Sequence, residues 1–198
     1  MLRIIICLGV VYALLQLDNY LALKKILQNE ARRKFVHITV GIFVASWPWL
    51  LSWRTIQVIG AVMAVVVYLN RQGHYFKFNK GLKRESYGDY LFALAIVISA
   101  LLTHTKIFFA VAILHLALAD GLAAIIGQNY GMNWRYKVFG QVKTVVGTMT
   151  FWLVSLGILG VGSLFAHNAL SYSSFGLIIV LLPPLLSFVE NFSIKGTD

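Results

Sequence analysis

Apolar runs long enough to cross a bilayer follow one another along this chain, and basic residues gather in every second gap between them. A hydrocarbon layer of roughly 30 Å is crossed by about 20 apolar residues in helix. Seven stretches approach that length: 2–22, 36–53, 55–69, 89–105, 107–128, 144–166 and 173–190. The third is short, and the seventh contains Pro183 and Pro184. Of 198 residues, 59% are hydrophobic and 12% charged, with a mean hydropathy of +0.78. Soluble domains are nearer half apolar and a quarter charged. The expected fold is therefore all-α, a polytopic membrane helix bundle of about seven spans. No repeat, low-complexity tract or linker divides residues 1–198, so one membrane-embedded domain is expected. The single cysteine, Cys7, excludes an intramolecular disulfide.

Charge gives the orientation. With the N-terminus outside, only Arg3, Arg54 and Lys106 of the 17 basic residues fall on the outer side. Such a bias is the positive-inside pattern. A cleaved signal peptide at the first span would send the Lys24–Lys34 cluster outward, against that rule, and no small-x-small site follows it. The stretch "YLALKKILQNEARRKFVH" has apolar residues near helical spacing with cations between them. It fits either a segment lying along the interface or a basic stop that sets topology. Trp47, Trp49 and Trp53 at the far end of the second span fit an interfacial aromatic belt.

Inside the fifth run, "LHLALADGLAAIIGQNYG", stands Asp120, nine residues before Asn129. In helix this is about 13 Å along the axis. An Asp at the centre of a spanning helix costs about 2.5–3.5 kcal/mol on insertion scales, so a functional role is the default. The structural alternative is a carboxylate bonded to a neighbouring Ser, Thr or Lys as glue between helices. Asp120, Ala124, Gly127 and Gly131 share one helix face, small enough for a helix or a flat ligand to approach. At the start of the sixth run, Lys143, Thr144, Gly147 and Thr148 form K-T-x-x-G-T. A lysine, hydroxyls and the N–H groups of a helix start make a phosphate cradle. The glycine spacing of nucleotide-binding P-loops is absent.

Two further polar groups sit at span ends. In "EARRKFVH", Arg33 and Lys34 lie one turn from His37. In "SFVENFSIKGTD", Glu190 follows the proline-bearing run and Asp198 ends the chain. All these residues fall toward the predicted cytosolic side, where nucleoside triphosphates and Mg²⁺ are found. Carboxylates and cations facing a membrane interior suit phosphate transfer from a soluble donor to a lipid acceptor, a reaction governed by positioning and charge neutralisation.

The segments "RRKFVH", "ADGLAAIIGQNYG", "KTVVGT" and "ENFSIKGTD", in that order, resemble the integral-membrane lipid-alcohol kinases. These are the dolichol, phytol and CTP-dependent diacylglycerol kinases, related to phosphatidate cytidylyltransferases. The likeness runs from about Glu30 to Asp198. It implies a multi-pass integral membrane enzyme that phosphorylates a lipid hydroxyl at the cytosolic face, with CTP as donor and Mg²⁺ or another divalent cation. It points to Asp120, Lys143 and His37 as catalytic candidates. Lys34, Gly127, Thr144, Gly147, Thr148 and Gly196 are the candidates for holding the nucleotide, and Asp120, Glu190 and Asp198 for the metal. The family pattern continues beyond its last Asp with Asn and further apolar sequence, so a chain ending at Asp198 is expected to be truncated or to lack a last helix. Gln141 and Val142 also stand before Lys143, where a second basic residue is common.

Two alternatives fit parts of the pattern: a CDP-lipid synthase acting on phosphatidate, and a small transporter with Asp120 as its ion site. The absence of an internal repeat argues against the transporter. His74, His104, His115 and His167 form no metal set, and His115 and Asp120 point about 140° apart on an α-helix. The basic and aromatic loop "RQGHYFKFNKGLKRESYG" fits contact with membrane lipids rather than nucleic acid. Oligomerisation is left open.

Overall fold

A computed structural model describes residues 1–73, 88–166 and 172–193. Helices dominate it: α1 (Leu2–Leu23), α2 (Asn29–Ala45), α3 (Trp47–Leu50), α4 (Trp53–Gly73), α5 (Gly88–Leu102), α6 (Lys106–Leu114), α7 (Asp120–Tyr130), α8 (Val145–Phe165) and α9 (Tyr172–Asn191). A π-turn, His115–Ala119, joins α6 to α7, so that Lys106–Tyr130 is one continuous spanning helix. Between α7 and α8 lies a hairpin of β1 (Arg135–Val138) and β2 (Gln141–Thr144), antiparallel with Tyr136 opposite Lys143. Phe139 and Gly140 both take positive φ, 46° and 78°. A two-residue turn of that kind matches the twist of paired strands, and glycine enters it without strain.

Among the described residues, four helices are long and apolar enough to cross a membrane: Leu2–Leu23, Lys106–Tyr130, Val145–Phe165 and Ser174–Asn191. Trp53–Leu69 and Gly88–Leu102 are shorter apolar helices. The expected span 36–53 is not a single element. Its helix starts earlier, at Asn29, and takes in the basic stretch before ending at Ala45. Pro48 then opens the short α3, where a missing N–H is harmless. The stretch expected along the interface is not one helix either. It is the end of α1, a break at 24–28 and the start of α2. Trp47 departs from the expected belt: it is fully buried in the core, while Trp49 is half exposed. Trp53 packs edge-on against Phe109 and His104.

The core gathers Val44, Trp47, Ile56, Phe92, Ile96, Phe109 and Ile113 from α2 to α6. A smaller cluster, Ala119, Ala123 and Phe151, joins α7 to α8. Buried Asp18 of α1 accepts from Arg32 Nε at 2.8 Å, and Asn19 from Arg32 Nη2 at 2.6 Å. This ties α1 to the first turn of α2. Helix α9 stays continuous through Pro183 and Pro184, and Ser187 Oγ donates to the Pro183 carbonyl at 2.9 Å. That bond is the ordinary back-bond of a helical serine; the carbonyls that lose their helical donor to the two prolines are those of Ile179 and Val180.

Candidate active site

Helices α2 and α7 run antiparallel. Lys34 meets Asp120, and two turns further along α2, Gly41 meets Ala117. Lys34, His37, Ile38 and Gly41 form one stripe of α2, because residues three and four apart share a helix face. That stripe faces Asp120, Gly121, Leu116 and Ala117. Lys34 is 4% exposed and Asp120 8%. Their charges pair at 2.5 Å between Lys34 Nζ and Asp120 Oδ2.

His37 belongs to the same cluster. Its Nε2 lies 2.9 Å from the Leu116 carbonyl and 3.9 Å from Asp120 Oδ2. A carbonyl only accepts, so Nε2 carries the proton and Nδ1 is the acceptor of the neutral ring. The ring leans on Phe92 of α5 at 4.8 Å between centroids. Leu116 sits within the π-turn, a feature frequent at functional sites.

Around this cluster is a cavity of about 290 Å³. Arg33, Lys34, His37, Asp89 and Asp120 form its polar part, and Leu91, Phe92, Leu94, Ala95, Ile98 and Leu116 its apolar wall. Asp89 was not among the candidates. It stands in the first turn of α5, where an acid is favoured by the helix dipole whatever the function. Nothing in its local sequence separates it from an ordinary helix start.

Lys143 and Glu190 lie elsewhere. Lys143 Nζ donates to Glu190 Oε1 at 2.5 Å, to the Glu190 carbonyl at 3.0 Å and to Ser193 Oγ at 3.1 Å. This joins β2 to the end of α9. Thr148 Oγ1 lies 2.5 Å from Tyr136 OH and 3.2 Å from Asn191 Oδ1, and Tyr136 also donates to Asn191. Thr144 caps α8, accepting from the Gly147 N–H at 3.0 Å. A β-carbon at Gly127 would lie 2.6 Å from Thr144 Oγ1 and 3.0 Å from the Gly147 α-carbon. The small face of α7 is thus filled by β2 and α8 at its C-terminal half.

The candidates therefore form two clusters. Arg33, Lys34, His37 and Asp120 share the cavity, whereas Lys143, Thr144, Gly147, Thr148 and Glu190 surround the other end of α7. Asp120 and Gly127 are seven residues apart on that helix, about 10 Å along its axis. Asp120 and Glu190 do not converge on one metal position, because α9 packs on α8 and delivers Glu190 to Lys143. Among the described residues no group of three His, Cys, Asp or Glu side chains comes together to hold a metal. Gly196 and Asp198 lie outside the described residues, as do His74, His167 and most of the basic aromatic loop. His115 bonds to Val111 of its own helix and takes no part in the Asp120 cluster. The angle between them is not that of an α-helix, because the π-turn intervenes.

Asp120 and Asp89 supply carboxylate oxygens to one cavity. One or two carboxylates, with phosphate oxygens from a substrate, are what Mg²⁺ ordinarily takes from a protein. The cavity residues thus fit an ion arriving with a triphosphate, and do not fit a cage built from protein alone.

No family model matches the chain, and no solved structure matches it. The chain is 35% identical over 153 residues to the phytol kinase of Synechocystis sp., across 75% of this chain and 64% of that protein. It is 30% identical over 186 residues to the probable phytol kinase 1, chloroplastic, of Glycine max, across 84% of this chain and 61% of that protein. It spans less than two-thirds of the length of either curated relative. Along most of its own length, then, and through the ordered motifs, this chain is similar to curated phytol kinases.

Proposed function

We propose that this chain transfers the terminal phosphoryl group of a nucleoside triphosphate to the hydroxyl of a membrane lipid alcohol. The observation that carries this reading is the buried Lys34–Asp120 pair, with His37 beside it, at the head of a cavity walled by hydrocarbon. Glue between helices needs the ion pair but not the cavity. A lipid hydroxyl that must meet a phosphate needs both. The names of the relatives favour phytol as acceptor over a longer polyprenol or diacylglycerol.

The proposed topology has seven crossings and an outer N-terminus, supported by the distribution of basic residues. Both clusters then face the cytosol, the Lys143 cluster about 10 Å nearer the water. An elongated donor, CTP by family resemblance, bridges them. Lys143, Thr144, Gly147 and Thr148, backed by Gly127, hold its outer part together with Gly196. Arg33 and Lys34 neutralise the phosphates at the cavity. Mg²⁺ bound with the triphosphate would be held by Asp120, with Asp89 and Asp198 as further oxygen donors, and would offset phosphate charge. Glu190 serves by fixing Lys143.

The acceptor oxygen bonds to the terminal phosphorus as the bridging P–O bond breaks, and the nucleoside diphosphate leaves with that electron pair. His37 takes the hydroxyl proton. Its Nε2–H is committed to Leu116, which leaves Nδ1 to accept, whereas Asp120 Oδ2 already accepts from Lys34. General bases of this kind contribute about 10²–10⁴ in rate.

The test is an assay of purified protein with labelled CTP or ATP against phytol, a longer polyprenol and diacylglycerol. A lipid monophosphate with nucleoside diphosphate is expected. A CDP-lipid with pyrophosphate would assign the chain to cytidylyl transfer, and failure to bind nucleotide would remove the kinase reading.

A further inference from the structure

The cavity has a charged head and a hydrocarbon side, and all of that side but Leu116 comes from one helix. Leu91, Leu94, Ala95 and Ile98 of α5 line it at i, i+3, i+4 and i+7. The opposite face of α5, with Ala93, Ile96 and Ala100, is buried, and Phe92 stands between the two faces. The lining face is only partly covered, and Ile98 is 50% exposed. It leads from Asp89 toward the far end of α5, and Leu91 to Ile98 covers roughly 10 Å. Helices α2 and α5 run parallel, with Phe92 against His37 near the head. The cavity therefore continues from the ion pair down one apolar face, in the direction a lipid tail takes when its hydroxyl sits near the interface.

We propose that this face of α5 is the track for the tail of the acceptor, and that it takes one hydrocarbon chain. The proposal rests on the lipid-alcohol kinase reading and specifies its substrate class. Three observations carry it. The charged head fits the phosphate acceptor end and the wall fits the tail, so the occupant is an amphiphile. At about 290 Å³ the cavity lies at the lower bound of the roughly 300–1,000 Å³ usual for ligand sites, a size that suits the first part of one chain better than a glycerol backbone with two. Ala95 is the smallest side chain between Leu91, Leu94 and Ile98 on this face, the place where a branched tail would meet the least bulk. A tail already in lipid gains nothing by leaving water, so selection in the track acts through shape and contact.

The experiment uses the whole protein in lipid nanodiscs with a phytol analogue carrying a photoreactive diazirine in its tail. Labelling within Leu91–Ile98, competed by phytol and not by diacylglycerol, is expected. This readout needs no turnover, so it is independent of whether the chain is a kinase. Labelling elsewhere, or equal competition by diacylglycerol, overturns the proposal even where phytol is phosphorylated. In the assay, Ala95→Trp should lower kcat/KM for phytol by roughly tenfold or more, since small misplacements of a substrate are expensive. The loss should be clearly smaller for a short-chain prenyl alcohol. Val180→Trp, on the exposed face of α9 and outside the cavity, should leave the ratio of the two alcohols as it is. Equal losses with both alcohols in Ala95→Trp would contradict the track.

Discussion

Two ion pairs of the same length stand at the two ends of α7, and they do different things. Lys34, from the basic start of α2, and Asp120, from inside an apolar run, are buried and paired at 2.5 Å beside a cavity. Lys143 and Glu190 also pair at 2.5 Å, but at the junction of a hairpin and a helix end, with a carbonyl and a serine completing the lysine's bonds. The second pair closes a structural corner. The first leaves a carboxylate, an imidazole and a second acid facing open space. Similar geometry thus carries different meaning according to what surrounds it. A buried pair is by itself weak evidence of stability, because desolvation opposes attraction.

Substitution should separate the two. The largest effect is expected at the cavity. Lys34→Ala leaves Asp120 buried without its cation, at about 3–5 kcal/mol of stability, and lowers kcat by about 10²–10³, the usual loss for a positioned electrostatic group. Replacing both partners together, Lys34→Met with Asp120→Leu, should recover most of the stability and none of the activity. Thermal unfolding in detergent and the phosphorylation assay check both halves. A double variant that regained activity would reduce the pair to packing.

Next in size is His37→Gln. It is expected to lower kcat by about 10², with little change in KM for nucleotide, because the group acts on the acceptor's proton. An equal rise in KM would move His37 from base to binding. The smallest effect is expected at the other pair. Lys143→Met should raise KM for nucleotide roughly tenfold, about 1.4 kcal/mol, with kcat nearly kept. A collapse of kcat there would erase the contrast between the two regions.

Hydropathy located the four helices that are long and apolar enough to cross a membrane, since period and length are local properties. The polar end of α2 was harder to bound, because Arg32, Arg33 and Lys34 interrupt the apolar run although the helix continues through them. The hairpin was not foreseen. Its strands are four residues each, and Phe139-Gly140 lacks the Asn-Gly or Asp-Gly signature of such turns. Asp120 was legible as a site because a carboxylate in an apolar helix is costly. Its partner was not, since Lys34 lies 86 residues away and only tertiary packing sets that distance. Asp89 was passed over because an acid in a first helical turn has a sufficient local reason to be there. The π-turn changes which face His115 and Leu116 present, and no residue type announces it.

Asp120→Asn is the sharpest probe of the cavity, because it keeps the shape of the side chain while removing its charge. Transfer of label from the terminal phosphate of CTP to phytol should be lost, in a protein that still folds. Wild-type rates of lipid phosphorylation from the folded Asn variant would mean that the buried carboxylate is only a joint between helices.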